Sequence, residues 1–305
     1  MRLNAIMNFL RKQNEIDAGI VLGAVNRFYL CGAKTSDGIL FFTRTEAFLL
    51  VDFRYFAHCK TAVTNCQVVL LKNTKKQLND LIMANNAAKI GLDISCVSML
   101  QYQQLRAQLG DGKLQDTSAL DKQIKAQRAI KNDHETASIK ESQAIVDASF
   151  AYIQTQIKPG ISEIELALKL EFYLREQGAE GVAFNPIVTF GPNTALPHGA
   201  PGNRRLETGD LVLLDFGAIR NGYCSDMTRT VAVAKPSHKQ QEIYRLVLEA
   251  QKKAIAAIRP GQMCCAIDKL ARDHLQENGF GANFGHGLGH SIGLVPHEEP
   301  ALTPT

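Results

Sequence analysis

The chain has 305 residues, 45% of them hydrophobic and 21% charged, with 34 basic against 30 acidic side chains and a formal charge of +4. At roughly 100–200 residues per domain this length implies two domains, each able to bury its own core. The small basic excess has no long basic run, so nucleic acid is not an expected partner, and no apolar stretch approaches the roughly 18 residues of a membrane span.

At the N-terminus, Asn4, Asn8, Arg11 and Lys12 interrupt the apolar positions, so no signal-peptide core is expected there. From residue 1 to about 122 the sequence alternates short apolar runs with helical patterns. Strands are predicted over 18–22, 39–42, 48–51, 68–71 and 89–92, and helices near 3–14, 54–61, 75–84 and 98–108. The strands at 39–42 and 48–51 flank a polar Thr43-Arg44-Thr45-Glu46 turn and read as a hairpin. This mixture is a small α/β domain, 1–122, without a catalytic constellation; Ser36-Asp37-Gly38 reads as a plain turn. Charged residues from 121 to 134 read as a connection into a second domain, 130–305.

A helix is expected over about 134–157, because Ile139, Val146, Phe150, Ile153 and Ile157 share one helical face and Pro159-Gly160 stops it. Ser162 and Glu165 form a capping box for the next helix, which ends at Gly178. An internal repeat follows: Ile157-Lys158-Pro159-Gly160 recurs 101 residues later as Ile258-Arg259-Pro260-Gly261. The same offset carries Leu174, Glu176 and Gly178 to Leu275, Glu277 and Gly279. Two such halves imply a pseudo-two-fold arrangement with a site between them. The first half continues with the apolar strand Leu211–Phe216, which carries Asp215; its counterpart would fall at position 316, past Thr305.

Asp215 is either a turn residue at a strand end or a carboxylate that needs a partner, since a buried charge is costly unless paired or metal-bound. Asp226 follows at the start of another strand, 227–233, and Gly222 between them permits a tight return. A hairpin would set the two carboxylates side by side, and their repulsion favours a cation between them. Oxygen ligands of this kind suit Mn²⁺, Fe²⁺, Co²⁺ or Zn²⁺. His198, His286, His290 and His297 are four of the eight histidines, each flanked by Gly or Pro, whereas His58, His134, His238 and His274 sit in charged or helical contexts. The seven cysteines form no CxxC pair and fit reduced thiols, hence a cytoplasmic setting.

Several segments together carry a family resemblance. They are Asn193 to Pro197-His198-Gly199, Leu214-Asp215-Phe216-Gly217, Tyr223 to Asp226 and Thr230, His286-Gly287-Leu288-Gly289-His290, and His297-Glu298-Glu299-Pro300. They resemble the motifs of aminopeptidase P and Xaa-Pro dipeptidase (prolidase), pita-bread metallopeptidases. Tyr29-Leu30, Ser36-Asp37-Gly38 and Asp52-Phe53-Arg54-Tyr55 resemble that family's creatinase-like N-terminal domain. The resemblance implies an α/β chain with a creatinase-like domain before a pita-bread domain. It also implies hydrolysis of the peptide bond preceding proline by a metal-activated hydroxide. Asp215 would bind one metal bidentately, Asp226 would bridge two, and His290 would be the single imidazole ligand. His198 and His297 would be catalytic and line the substrate pocket, and His286 would orient the substrate at its proline side. Two divalent ions are implied, Mn²⁺ first, with Co²⁺ or Zn²⁺ as alternatives, as are a proline-containing di- or oligopeptide substrate and a homodimer.

The family completes its metal site with two glutamates, from a T-x-E-P-G strand and an R-x-E-D strand that follow the His-Glu-Glu-Pro motif. Here Pro300 is followed by five residues, and Glu298 and Glu299 belong to the motif itself, so three of five ligands are present. The pita-bread domain is therefore expected to lack its last strands. The alternative to an active peptidase is an inactive fragment or a binding pseudoenzyme of the same fold.

Overall fold

The computed structural model describes residues 2–115 and 117–305. It divides into two compact units, Met1–Ile130 and Lys131–Thr305.

The first unit runs α1 (Arg2–Arg11), β1 (Ala18–Val21), α2 (Ala24–Cys31), β2 (Ile39–Thr43), β3 (Ala47–Val51), α3 (Phe53–Ala62), β4 (Gln67–Leu70), α4 (Thr74–Ala84), β5 (Ile90–Leu92), α5 (Met99–Leu109) and α6 (Ala119–Ala129). Its sheet has the order β4-β3-β2-β1-β5. The expected hairpin is present: β2 and β3 pair antiparallel with Ile39 opposite Leu50, while β4 and β5 join parallel at the two edges. Every residue of β1, β2 and β3 is buried, which requires cover on both faces. On one face Ile20, Phe41 and Leu50 pack with Leu78 and Ile82 of α4 and Leu105 of α5.

Two parts of this unit differ from the sequence reading. Residues 24–31 form α2, whose left-handed cap at Gly32 (φ 80°) ends it. The charged stretch read as a connection is mostly helix α6. Leu120, Asp121 and Ile124 are its buried positions, and Lys125 pairs with Asp121 at 3.1 Å. So narrow an apolar stripe is outnumbered by the solvated charges around it.

The second unit opens with α7 (Asp133–Gln156) and α8 (Glu163–Glu176), whose capping box between Ser162 and Glu165 is formed as expected. There follow β6 (Gly181–Val182), β7 (Ile187–Phe190), β8 (Leu211–Phe216), β9 (Ala218–Arg220), β10 (Tyr223–Cys224) and β11 (Met227–Ala232). The repeat then supplies α9 (His238–Ala257) and α10 (Cys264–Glu277), and β12 (Gly289–Ser291) pairs with β13 (Glu298–Leu302). The small sheets are ordered β10-β9-β6 and β11-β8-β7. Leu166, Leu170 and Leu174 of α8 bury against Val188, Phe190, Val212 and Leu214. The second half has its own core, with Leu246 and Ala250 of α9 against Ile267 and Ala271 of α10.

The buried face of α7 carries the expected apolar positions Val146 and Ile153 together with serines. Ser138, Ser142 and Ser149 lie buried beside Val146 and Ile153, while Ile139 and Phe150 are half-buried. Small side chains let β9 and β10 approach closely, and the Ser142 hydroxyl donates to the Ala218 carbonyl at 2.9 Å.

Candidate functional site

Asp215 and Asp226 are brought together by the return from β8 to β11. The two strands pair antiparallel with Thr228 opposite Asp215, which places Asp226 just ahead of the ladder on the neighbouring strand. Gly217 makes this return possible, because a Cβ there would lie 2.0 Å from the Ser225 carbonyl oxygen. The Ser225 hydroxyl, fully buried, accepts from the Ala218 N–H at 3.1 Å and so ties the two segments together.

The Thr228 hydroxyl donates to Asp215 at 2.9 Å. Burial nevertheless holds the Asp215 carboxyl above its ordinary 3.8; the Thr228 bond opposes this, and the negative charge of Asp226 adds to it. Asp226 is raised for the same first reason, burial, with the imidazoles of His290 and His297 pulling the other way. Two carboxylates that are costly to ionise thus share one neighbourhood with three histidines, since His198 and His290 also act on Asp215.

His290 sits in β12. Its Nδ1 lies 3.2 Å from the Ser291 carbonyl, which can only accept, and its Nε2 lies 3.6 Å from Asp226. With Nδ1 donating, a neutral ring turns the Nε2 lone pair toward a carboxylate. Two acceptors then face each other, and a cation or a proton between them relieves the conflict. His297 stacks obliquely on His290, ring centroids 4.1 Å apart.

Of the six residues expected at the site, Asp215, Asp226, His198, His290 and His297 therefore interact with one another. His286 stands differently: its ring meets Phe284 edge-on at 5.0 Å, its Nδ1 lies 2.6 Å from the Gly287 carbonyl, and among the described residues no hydrogen bond or ion pair joins it to either aspartate. His198, His286 and His297 are exposed.

Two carboxylates and an imidazole fit a divalent cation in chemical kind. They do not enclose one: among the described residues no three His, Cys, Asp or Glu side chains close around a common point. Glu298 is committed elsewhere, accepting from the Leu294 N–H at 2.9 Å and pairing with Lys131 at 3.2 Å, as expected of a motif residue.

Sequence reasoning missed three residues that hold the histidine loops. Glu163 of α8, buried, accepts from the N–H groups of Phe190 (2.8 Å) and Gly202 (3.0 Å) and from Asn193 Nδ2 (2.9 Å), bracketing His198. Asp268 and Arg272 of α10 do the same for the segment around His286. A carboxylate at a helix start reads as an ordinary dipole partner, and Asp-x-x-x-Arg reads as a surface pair.

Comparison with known proteins agrees with this architecture. Residues 137–305 match Metallopeptidase family M24, and residues 2–130 match the Creatinase/Prolidase N-terminal domain. The chain is 34% identical over 303 residues to the Xaa-Pro dipeptidase of Pyrococcus furiosus, covering 99% of this chain and 84% of that protein. Among solved structures it resembles the Xaa-Pro dipeptidase from Bacillus anthracis (TM-score 0.92, 35% identity, 99% of this chain and 83% of that one). It also resembles the X-Pro aminopeptidase from Thermotoga maritima (TM-score 0.88, 32% identity, 97% and 85%). The fold is a creatinase-like N-terminal α/β domain with a pita-bread domain, and the chain belongs to Metallopeptidase family M24.

Proposed function

We propose that this peptidase fold serves hydrolysis of the peptide bond preceding proline, with Asp215, Asp226 and His290 as metal ligands. The observation that carries the reading is the approach of the Asp226 carboxylate and the His290 Nε2, 3.6 Å apart, beside a second carboxylate that burial disfavours in its charged form. A bound divalent ion, Mn²⁺ first and Co²⁺ or Zn²⁺ as alternatives, would supply Lewis acidity and lower the pKa of a water. The chain's own groups do the rest. Cleavage of an Xaa-Pro bond releases a secondary amine, so the proline nitrogen must gain a proton. His198 and His297, exposed imidazoles on the Asp215 and Asp226 sides, are the donors within reach of such a substrate. His286 orients the proline end. Proline offers no N–H and a fixed φ, so the pocket must recognise ring shape rather than a backbone donor. Seven free thiols support a cytoplasmic setting, and no described helix is long and apolar enough to cross a membrane.

The second reading, a binding protein of the same fold without turnover, is favoured by the openness of the donor set: among the described residues no three His, Cys, Asp or Glu side chains close around a common point. Ala-Pro hydrolysis by the 305-residue chain with Mn²⁺ separates the two. The peptidase reading expects slow, Mn²⁺-dependent cleavage that Asp226→Ala abolishes. Unchanged cleavage in that variant would remove Asp226 from the site, and no cleavage at all at saturating Mn²⁺ would favour the second reading.

A further inference from the structure

We infer that Asp268 and Arg272 are positioning residues for His286 and His290, forming a side-chain clamp that sets the path of the histidine-bearing segment; the inference rests on the site reading above.

The segment from Phe284 to Leu288 belongs to no strand and contains glycine at 285 and 287. A Cβ at Gly285 would meet nothing within 4 Å, so packing does not hold that point. On either side of it Phe284 and Leu288 pack against the second core, and polar groups on α10 fix the backbone between them. Arg272 donates through Nη1 to the Phe284 carbonyl and through Nη2 to the His286 carbonyl, both at 2.8 Å. Asp268 Oδ1 accepts the Leu288 N–H at 2.9 Å. The bonds thus reach three alternate residues, 284, 286 and 288, and end one residue before β12, which carries His290.

The two clamp side chains also hold each other. Arg272 Nε donates to Asp268 Oδ2 at 2.8 Å and Nη2 donates to Oδ1 at 3.0 Å, a bidentate pair that leaves the remaining guanidinium donors aimed at the loop. The guanidinium lies over the Phe284 ring at 4.5 Å, and that ring in turn meets the His286 imidazole. The neighbouring pair on the same helix, Lys269 with Asp273, shows what a plain surface pair looks like: its side chains are 71% and 50% exposed, against 27% and 1% for Arg272 and Asp268. A buried carboxylate needs its lone pairs filled, and here loop and clamp fill them.

Glu163 does the same for the His198 loop from α8, so each half of the duplication carries a helix-borne carboxylate that accepts loop N–H groups. The two carboxylates are not at equivalent repeat positions: 101 residues on from Glu163 stands Cys264.

The test needs neither metal nor turnover. In Asp268→Ala and Arg272→Lys, amide hydrogen exchange is read over residues 284–290 and over β8, with the imidazole ¹H–¹⁵N signals of His286 and His290 recorded alongside. Both variants are expected to speed exchange in the loop about tenfold or more, the loss of one or two hydrogen bonds, and to shift both imidazoles, while β8 exchanges as before. Asp268→Asn keeps an acceptor for Leu288 and is expected to restore much of the protection. Unchanged loop exchange and imidazole signals, or equal acceleration in loop and β8, would overturn the clamp. Because the readout involves no metal, the clamp can hold even where Asp226→Ala shows the metal reading to be wrong, and the reverse.

Discussion

At the scale of single residues, the site depends on how closely two chain segments can pass. Gly217 has no tolerance for a side chain, with the Ser225 oxygen 2.0 Å and the Ala183 Cβ 3.0 Å from where its Cβ would stand. Gly217→Ala is expected to destabilise the protein by about 1–3 kcal/mol through overpacking, measured by urea unfolding; a loss under about 0.5 kcal/mol would mean the segments can separate at little cost. Asp215, Asp226 and His290 were legible in the sequence because carboxylates interrupt apolar strands and glycines flank an imidazole. Asp268, Arg272 and Glu163 were not, because what distinguishes them is where their bonds go across chain separations of up to 39 residues. Local pattern shows a carboxylate and a cation one turn apart, and nothing in it separates Asp268–Arg272 from the solvated Lys269–Asp273.

At the scale of elements, capping was the clearest signal. Ser162 and Glu165 form the box that starts α8. The bonds from Ser162 N–H and hydroxyl hold the Glu165 carboxyl below its ordinary 4.5. A lowered folded-state value means the contribution is present above the unfolded value and is lost as pH falls through the folded one. The stability difference between the natural protein and Glu165→Gln should therefore shrink as pH falls below the ordinary 4.5, followed by urea unfolding; a difference that stays constant as pH falls would deny the bond its charge. Helix α6 and the serine face of α7 were missed for one shared reason. Periodicity counts apolar residues, yet α6 buries only Leu120, Asp121 and Ile124, and α7 buries Ser138, Ser142 and Ser149 alongside the apolar Val146 and Ile153.

At the scale of the whole molecule, the repeat of Pro-Gly, helix and Leu-x-Glu-x-Gly announced the duplication, and each half indeed builds its own core and its own histidine loop. The centre formed from both halves brings two aspartates and His290 together without enclosing an ion. The most direct measurement is a Mn²⁺ titration of the 305-residue chain beside Asp226→Ala and Glu298→Gln, with free Mn²⁺ followed by electron paramagnetic resonance. Weak binding that Asp226→Ala removes and Glu298→Gln leaves intact is the predicted result. Two tight sites, or binding indifferent to Asp226→Ala, would contradict the account.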